Sequence, residues 1–106
     1  MNKKIKKCIE SLGWSIYEDE QGVDLRQCSP AGEDFGFYIG NKENIIEEVI
    51  VYANNFDADE HSKMWIENRD TVSGVPQSVR ELIQDADDIQ DMLNELADAL
   101  NTLENS

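Results

Sequence analysis

The last quarter of the sequence carries an apolar residue at every third or fourth position. This spacing is the period of an α-helix, so the apolar side chains fall on one side of it. It predicts a helix of about 28 residues and about 42 Å that starts at Pro76, a residue suited to a first helical turn, and ends near Leu103. We call the apolar positions the seam: Val79, Leu82, Ala86, Ile89, Leu93, Leu96, Leu100 and Leu103.

The opposite side of the same segment is acidic. From Glu81 to Glu104 the sequence holds eight acidic side chains and no basic one. Most of them fall away from the seam, so the predicted helix presents a field of one sign to solvent. The candidate partner-binding residues on this helix are Asp85, Asp87, Asp88, Asp91, Glu95 and Asp98.

Two kinds of packing would bury the seam. A two-stranded coiled coil places complementary charges beside its apolar stripe. Here the flanking positions are apolar instead, which widens the stripe and favours a helix that packs along its own domain. A homodimer with the seam as its interface is the alternative. The apolar flanking residues are Ile83, Met92, Ala97 and Ala99.

Composition limits the partners. The chain has 106 residues, the size of one domain, with 23 acidic and 9 basic residues and a net charge of −14. Nucleic acids and anionic membranes are recognised through Lys and Arg, so this excess argues against both. A basic protein is the partner that the charge favours.

Upstream of the acidic segment the pattern changes from helical spacing to alternation and back. Alternating residues separated by short, turn-rich connections predict an antiparallel meander of three strands. The fold class is therefore α+β: a three-stranded antiparallel sheet with an N-terminal helix and C-terminal helices, the last long and amphipathic. The first helix is predicted for residues 2–12, and the strands near 14–17, 23–28 and 35–39.

Two further helices are predicted between the sheet and the acidic segment. Asn41 is a candidate N-cap for the first, although Val49–Tyr52 alone also suits a buried strand. Asp57 and Glu60 have the spacing of a capping box, which predicts the start of the second. A break at Val72–Val75 separates it from the last helix.

The sequence contains no strong catalytic or cofactor motif. His61 is the only histidine, and its neighbours Asp57, Asp59 and Glu60 are poor metal ligands because helical geometry points them apart. No second ligand cluster accompanies them, so we expect no metal, no cofactor and no enzymatic activity. A small enzyme of unknown type remains an alternative.

Three segments resemble a family of short, uncharacterised acidic proteins found on phages and conjugative elements of gut Gram-positive bacteria. They are SPAGEDFGFYI, NNFDADEHSKMWI and VPQSVRELIQDADDIQDMLNELADAL, together more than a third of the chain. The resemblance implies a mobile-element protein, in a genomic setting where anti-restriction and anti-CRISPR proteins occur. It implies no catalytic or binding residue.

The function predicted from these observations is a non-enzymatic binding protein that engages a basic partner. One form of it is nucleic-acid mimicry, in which carboxylates take the places of phosphates. Eight acids along about 35 Å make one charge per roughly 4 Å, against one per about 1.7 Å in duplex DNA. The chain shows no export signal and no apolar run of about 20 residues, so we expect a cytoplasmic protein.

We predict that the chain binds no nucleic acid directly, because its charge repels phosphate within the Debye length. A gel-shift assay with single- and double-stranded DNA and RNA at low salt is expected to show no retarded species. Tight binding to any of these probes would contradict the interpretation of the charge.

Overall fold

The computed structural model describes residues 2–68 and 79–105. The predicted helix start at Pro76 and the break at Val72–Val75 lie outside these residues. The described elements confirm an α+β fold with an antiparallel sheet of order β1-β2-β3. Their bounds are α1 Lys3–Ser11, β1 Ser15–Glu18, β2 Val23–Cys28, β3 Asp34–Ile39, α2 Ile45–Asn55, α3 Ala58–Asn68 and α4 Val79–Glu104.

Local signals fix the ends of α1. The side chain of Asn2 accepts a hydrogen bond of 2.7 Å from the backbone N–H of Lys4, as an N-cap does. At the other end Gly13 has a φ of 94°, a conformation that side chains with a Cβ rarely adopt. The chain therefore leaves the helix at this glycine and enters β1.

The segment Val49–Tyr52, which suited a helix or a strand, is part of α2. The buried residues of this helix are Ile45, Val49 and Ala53, one turn apart. Val51 is 49% exposed, so burial follows the helical period instead of alternating. Asn41 caps a preceding 3-10 turn, Lys42–Asn44, by accepting from the N–H of Glu43 at 3.2 Å.

The predicted cap of α3 is confirmed in its first half. The Asp57 carboxylate accepts a hydrogen bond of 3.1 Å from the backbone N–H of Glu60, and α3 begins at the next residue after the cap, Ala58. This hydrogen bond gives a partner to one backbone N–H of the first turn, which has none within the helix. One turn along, the helix carries His61.

The sheet packs one face against the helices. In register, Leu25 of β2 lies between Ile16 and Phe37, and the side chains of Leu25 and Phe37 are buried. The other face exposes Tyr17 and Tyr38, which flank Asp24 of β2. Burial therefore alternates along β2 and β3, as a sheet with one face packed on the core requires.

From Leu82 to Leu100 the seam is buried within the chain itself. Its members Ala86, Ile89, Leu93, Leu96 and Leu100 are at most 1% exposed. The last four belong to the core cluster, and α4 packs against α1, α2 and α3. A homodimer would therefore need a surface other than the seam. Within the described residues, no helix has both the length and the apolar content needed to cross a membrane.

We predict that Leu93→Ala lowers the free energy of unfolding by about 2–5 kcal/mol, as for other large-to-small changes in a core. Asp91→Asn on the exposed side of α4 is expected to be neutral or slightly stabilising, because it relieves repulsion in a chain of net charge −14. Urea denaturation measures both. Equal losses from the two changes would show that the faces of α4 are assigned wrongly.

Candidate functional site

Five of the six predicted partner-binding residues lie on the outward side of α4. Asp87, Asp91, Glu95 and Asp98 are exposed, and Asp88 is partly buried. The first four form no ion pair or side-chain hydrogen bond with any residue in 2–68 or 79–105. We call these five residues the acidic face.

Asp85 does not belong to this face, and its assignment to an exposed partner-binding surface is wrong. It is only 1% exposed. At about 100° per residue, Asp85 lies about 160° around the helix from Asp87 and close to the seam. Its carboxyl group therefore points into the protein.

Inside the protein Asp85 meets three polar side chains from distant parts of the sequence. Ser29 Oγ donates a hydrogen bond to Asp85 Oδ1, and Glu33 shares a hydrogen bond with the Asp85 carboxyl. His61 Nε2 lies 3.1 Å from each carboxylate oxygen of Glu33. We call Ser29, Glu33, His61 and Asp85 the buried cluster.

A tight turn before β3 positions Ser29 and Glu33. The C=O of Ser29 accepts from the N–H of Gly32 at 2.9 Å, with Pro30 in the second position that this kind of turn favours. Ser29 Oγ also accepts from the N–H of Glu33 at 3.0 Å, and the N–H of Ser29 donates to the C=O of Glu33 at 2.8 Å. Gly32 completes the turn with a φ of 97°.

Two phenylalanine rings hold the imidazole of His61. Its ring lies 6.0 Å from that of Phe35 in an edge-on arrangement and 5.4 Å from that of Phe56. The His61 side chain keeps 19% of its surface exposed, whereas the Glu33 side chain keeps 5%. His61 thus forms the solvent-facing end of the buried cluster.

The electrostatics of the cluster follow from its burial. Desolvation, and then the hydrogen bond with Glu33, raise the pKa of Asp85 to about 7, while the Ser29 hydrogen bond and the charge of His61 act in the opposite direction. Two carboxyl groups that share a hydrogen bond need a proton between them. When Glu33 is the ionised member of the pair, its oxygens only accept, and His61 Nε2–H then donates to it.

The buried cluster offers oxygen and nitrogen atoms that can bind a proton or a metal ion. One oxygen each from Glu33 and Asp85 and one nitrogen of His61 lie within 4.8 Å of one another. The sequence-based argument that His61 has no accompanying ligands is therefore wrong, because the fold brings them from elsewhere. Ser29 donates to a carboxyl group and not to the imidazole, so this geometry does not form a serine nucleophile with its base.

The sequence signals for this cluster differ in strength. Asp85 could have been found, because it lies three residues after Leu82 and four before Ile89 and thus on the flank of the seam. Glu33 gives no such signal, since a turn of Ser, Pro and Gly explains its surroundings. His61 sits on an exposed-looking helix start, and only the tertiary structure shows what it faces.

A pocket of about 250 Å³ opens beside His61. Phe56 and Met64 contribute apolar surface, and Asp57 and Glu60 contribute carboxylates. The pocket connects the solvent-facing end of the buried cluster with the surface.

Comparisons with known proteins supply no family for the chain. No protein-family model matches it, and no curated protein and no solved structure match it either.

We predict that stability depends on pH through Asp85. Its folded-state pKa of about 7 lies above the unfolded value of about 3.9, so the folded state binds more protons in that window. The stabilisation that protonated Asp85 contributes to the folded state is fully present below about pH 4 and is lost as the pH rises through 7. Asp85→Asn mimics the protonated acid and does not titrate. The free energy of unfolding of the variant minus that of the wild type is therefore expected to increase by more than about 1 kcal/mol from pH 4 to pH 8.

The measurement is urea denaturation of both proteins across this pH range in metal-free buffer. Asp91→Asn is the matched control, because it removes the same formal charge from the exposed side of α4. Its stability relative to the wild type should change much less. Parallel curves for wild type and Asp85→Asn would contradict the assignment of a raised pKa to this group.

Proposed function

We propose that the protein is a non-enzymatic binding protein that engages a basic protein partner through the acidic face of α4. The observation that carries the proposal is a stripe of four exposed carboxylates, Asp87, Asp91, Glu95 and Asp98, without a cationic partner among the described residues. Unpaired charges of one sign attract a partner of the opposite sign and speed its approach.

The stripe is held in a fixed arrangement. Its four members fall within about 80° of one another around the helix and within about 17 Å along it. The opposite side of α4 is buried from Leu82 to Leu100, so the helix cannot rotate without exposing its core contacts. The carboxylates are therefore positioned before a partner arrives, which lowers the entropy cost of binding.

A groove extends this surface toward α2. It has a volume of about 400 Å³, and Asp98 lies on its α4 side together with Asn94 and Asn101. Ile50 and Asn54 of α2 form the other side. A Lys or Arg side chain of a partner would find in this groove a carboxylate, amide oxygens and an apolar wall for its stem.

Nucleic-acid mimicry is a narrower form of the same proposal. With Asp85 inside the protein, seven acids remain along α4, about one per 5 Å, which is sparser than the charge of either strand of DNA. This density favours a basic protein surface in general over a groove shaped for duplex DNA. The mobile-element setting of this proposal rests on the family resemblance.

The homodimer hypothesis has weaker support, because the seam that it was to use is buried within one chain. Light scattering across protein concentration and salt tests it directly. Salt screens repulsion between two chains of charge −14, so self-association would strengthen with salt, whereas capture of a basic partner would weaken.

We predict that the triple variant Asp87→Lys, Asp91→Lys, Glu95→Lys loses partner capture. Immobilised wild-type protein is expected to retain basic proteins from a Gram-positive lysate at low salt and to release most of them at high salt. The variant should retain few of them, while its circular dichroism spectrum stays that of the wild type, because the substituted side chains are exposed.

The control triple is Glu10→Lys, Glu18→Lys, Glu20→Lys, which changes the net charge equally at exposed positions of α1, β1 and the β1–β2 turn. It should keep the basic proteins that the wild type captures. If both triples lose them equally, the captured proteins respond to net charge alone, and the acidic face is not the binding surface.

A further inference from the structure

We propose that the buried cluster is a binding site for one divalent transition-metal ion of the Zn²⁺ type, with Glu33, His61 and Asp85 as its protein ligands. The three residues come from the turn before β3, from α3 and from α4. The inference stands independently of the acidic face, because four of its five members are exposed, whereas Asp85 is buried.

The spacing of the donor atoms suits a single ion. One atom from each residue lies within 4.8 Å of the other two. Zinc bonds to imidazole nitrogen and carboxylate oxygen are about 2.0–2.2 Å long, so at the tetrahedral angle two ligand atoms of one ion lie about 3.4 Å apart. A pair at the 4.8 Å limit must therefore approach by about 1.4 Å, a movement that side-chain torsions supply without rebuilding the backbone.

The charges in the cluster also suit a dication. Glu33 and Asp85 are 6% and 1% exposed, and burial of two carboxyl groups in contact is costly unless a positive charge accompanies them. His61 contributes a positive charge beside Glu33 only when its imidazole is protonated. One divalent ion balances two carboxylates.

The donor set selects among metals. Mg²⁺ and Ca²⁺ prefer sites built of oxygen atoms, with six or more ligands in total. An imidazole nitrogen with two carboxylates favours Zn²⁺ and chemically similar ions such as Co²⁺. Three protein ligands leave a position for water, the pattern of zinc sites that are not purely structural.

The surroundings support and admit the ion. Ser29 donates to the Asp85 carboxyl and accepts from the N–H of Glu33, so it orients two of the three ligands. The pocket beside His61 gives a path from solvent, and the carboxylates of Asp57 and Glu60 at its edge attract cations toward it. A bound ion would join the sheet, α3 and α4 at one point and stabilise their packing.

The first experiment needs no substitution. His61 is the only histidine in the chain, so the histidine signals in an NMR spectrum report on this site alone. Titration of the protein with Zn²⁺ at fixed pH and physiological salt should shift or replace these signals at one equivalent. The same concentration of Mg²⁺ should leave them unchanged.

The second experiment measures thermal stability with the metal alone as the probe. A fivefold or larger excess of Zn²⁺ should raise the Tm of the wild type by several degrees, because an ion that binds only the folded state stabilises it. Glu33→Gln should weaken Zn²⁺ binding by at least about tenfold, the loss usual even for residues that only support a ligand. Glu48→Gln, the same change at an exposed position of α2, should respond as the wild type does.

Asp85→Asn provides a second variant if Glu33→Gln fails to fold, and it too should lose the Zn²⁺ response. The inference is overturned if one equivalent of Zn²⁺ leaves the His61 signals unchanged. It is equally overturned if Mg²⁺ raises the Tm as much as Zn²⁺ does, which would indicate screening of surface acids. An undiminished Zn²⁺ response in a folded Glu33→Gln or Asp85→Asn variant would also exclude the proposed ligand set.

Discussion

Burial of one side of α4 is the constraint on which the rest of the structure depends. The helix is about 39 Å long, close to the 43 Å longest dimension of the protein, and the other three helices pack against it. Its buried residues form one core with those of the sheet and α2. Because this contact is apolar and continuous, it offsets the repulsion expected from a net charge of −14.

The same constraint explains why the acidic residues of α4 divide into two groups. The helix can turn only one side to the core, so Asp87, Asp91, Glu95 and Asp98 remain at the surface. Asp85 lies at the border of the buried side, where it needs a partner inside the protein. Ser29 and Glu33 of the turn before β3, together with His61 of α3, are its neighbours there.

A polar cluster at this place is not required by packing alone. An apolar residue at position 85 would extend the seam, and buried carboxyl groups are commonly replaced by apolar residues without loss of stability. Proteins depart from consistent patterning mainly where a site is needed. A buried acid at position 85 is therefore the strongest structural indication of a specific site inside this fold. The acidic face is the corresponding indication of a binding site at the surface.

The sequence by itself determined the elements and their faces, because helix and strand periods, caps and turns act over a few residues. Asp57 caps α3 where predicted, the ends of α1 lie within one residue of those predicted, and the three predicted strands form the sheet. Helical periodicity could also have assigned Asp85 to the buried side of α4, beside the seam.

Only the tertiary structure decided what Asp85 meets there. Ser29 lies 56 positions from Asp85, and Glu33 lies 28 positions from His61, so no local period relates them. The tertiary structure also decided that Val49–Tyr52 is helical, because that segment is apolar enough for either state and its packing against α4 selects one. Contacts between distant segments depend on how whole elements pack, and that packing is a property of the folded chain as a unit.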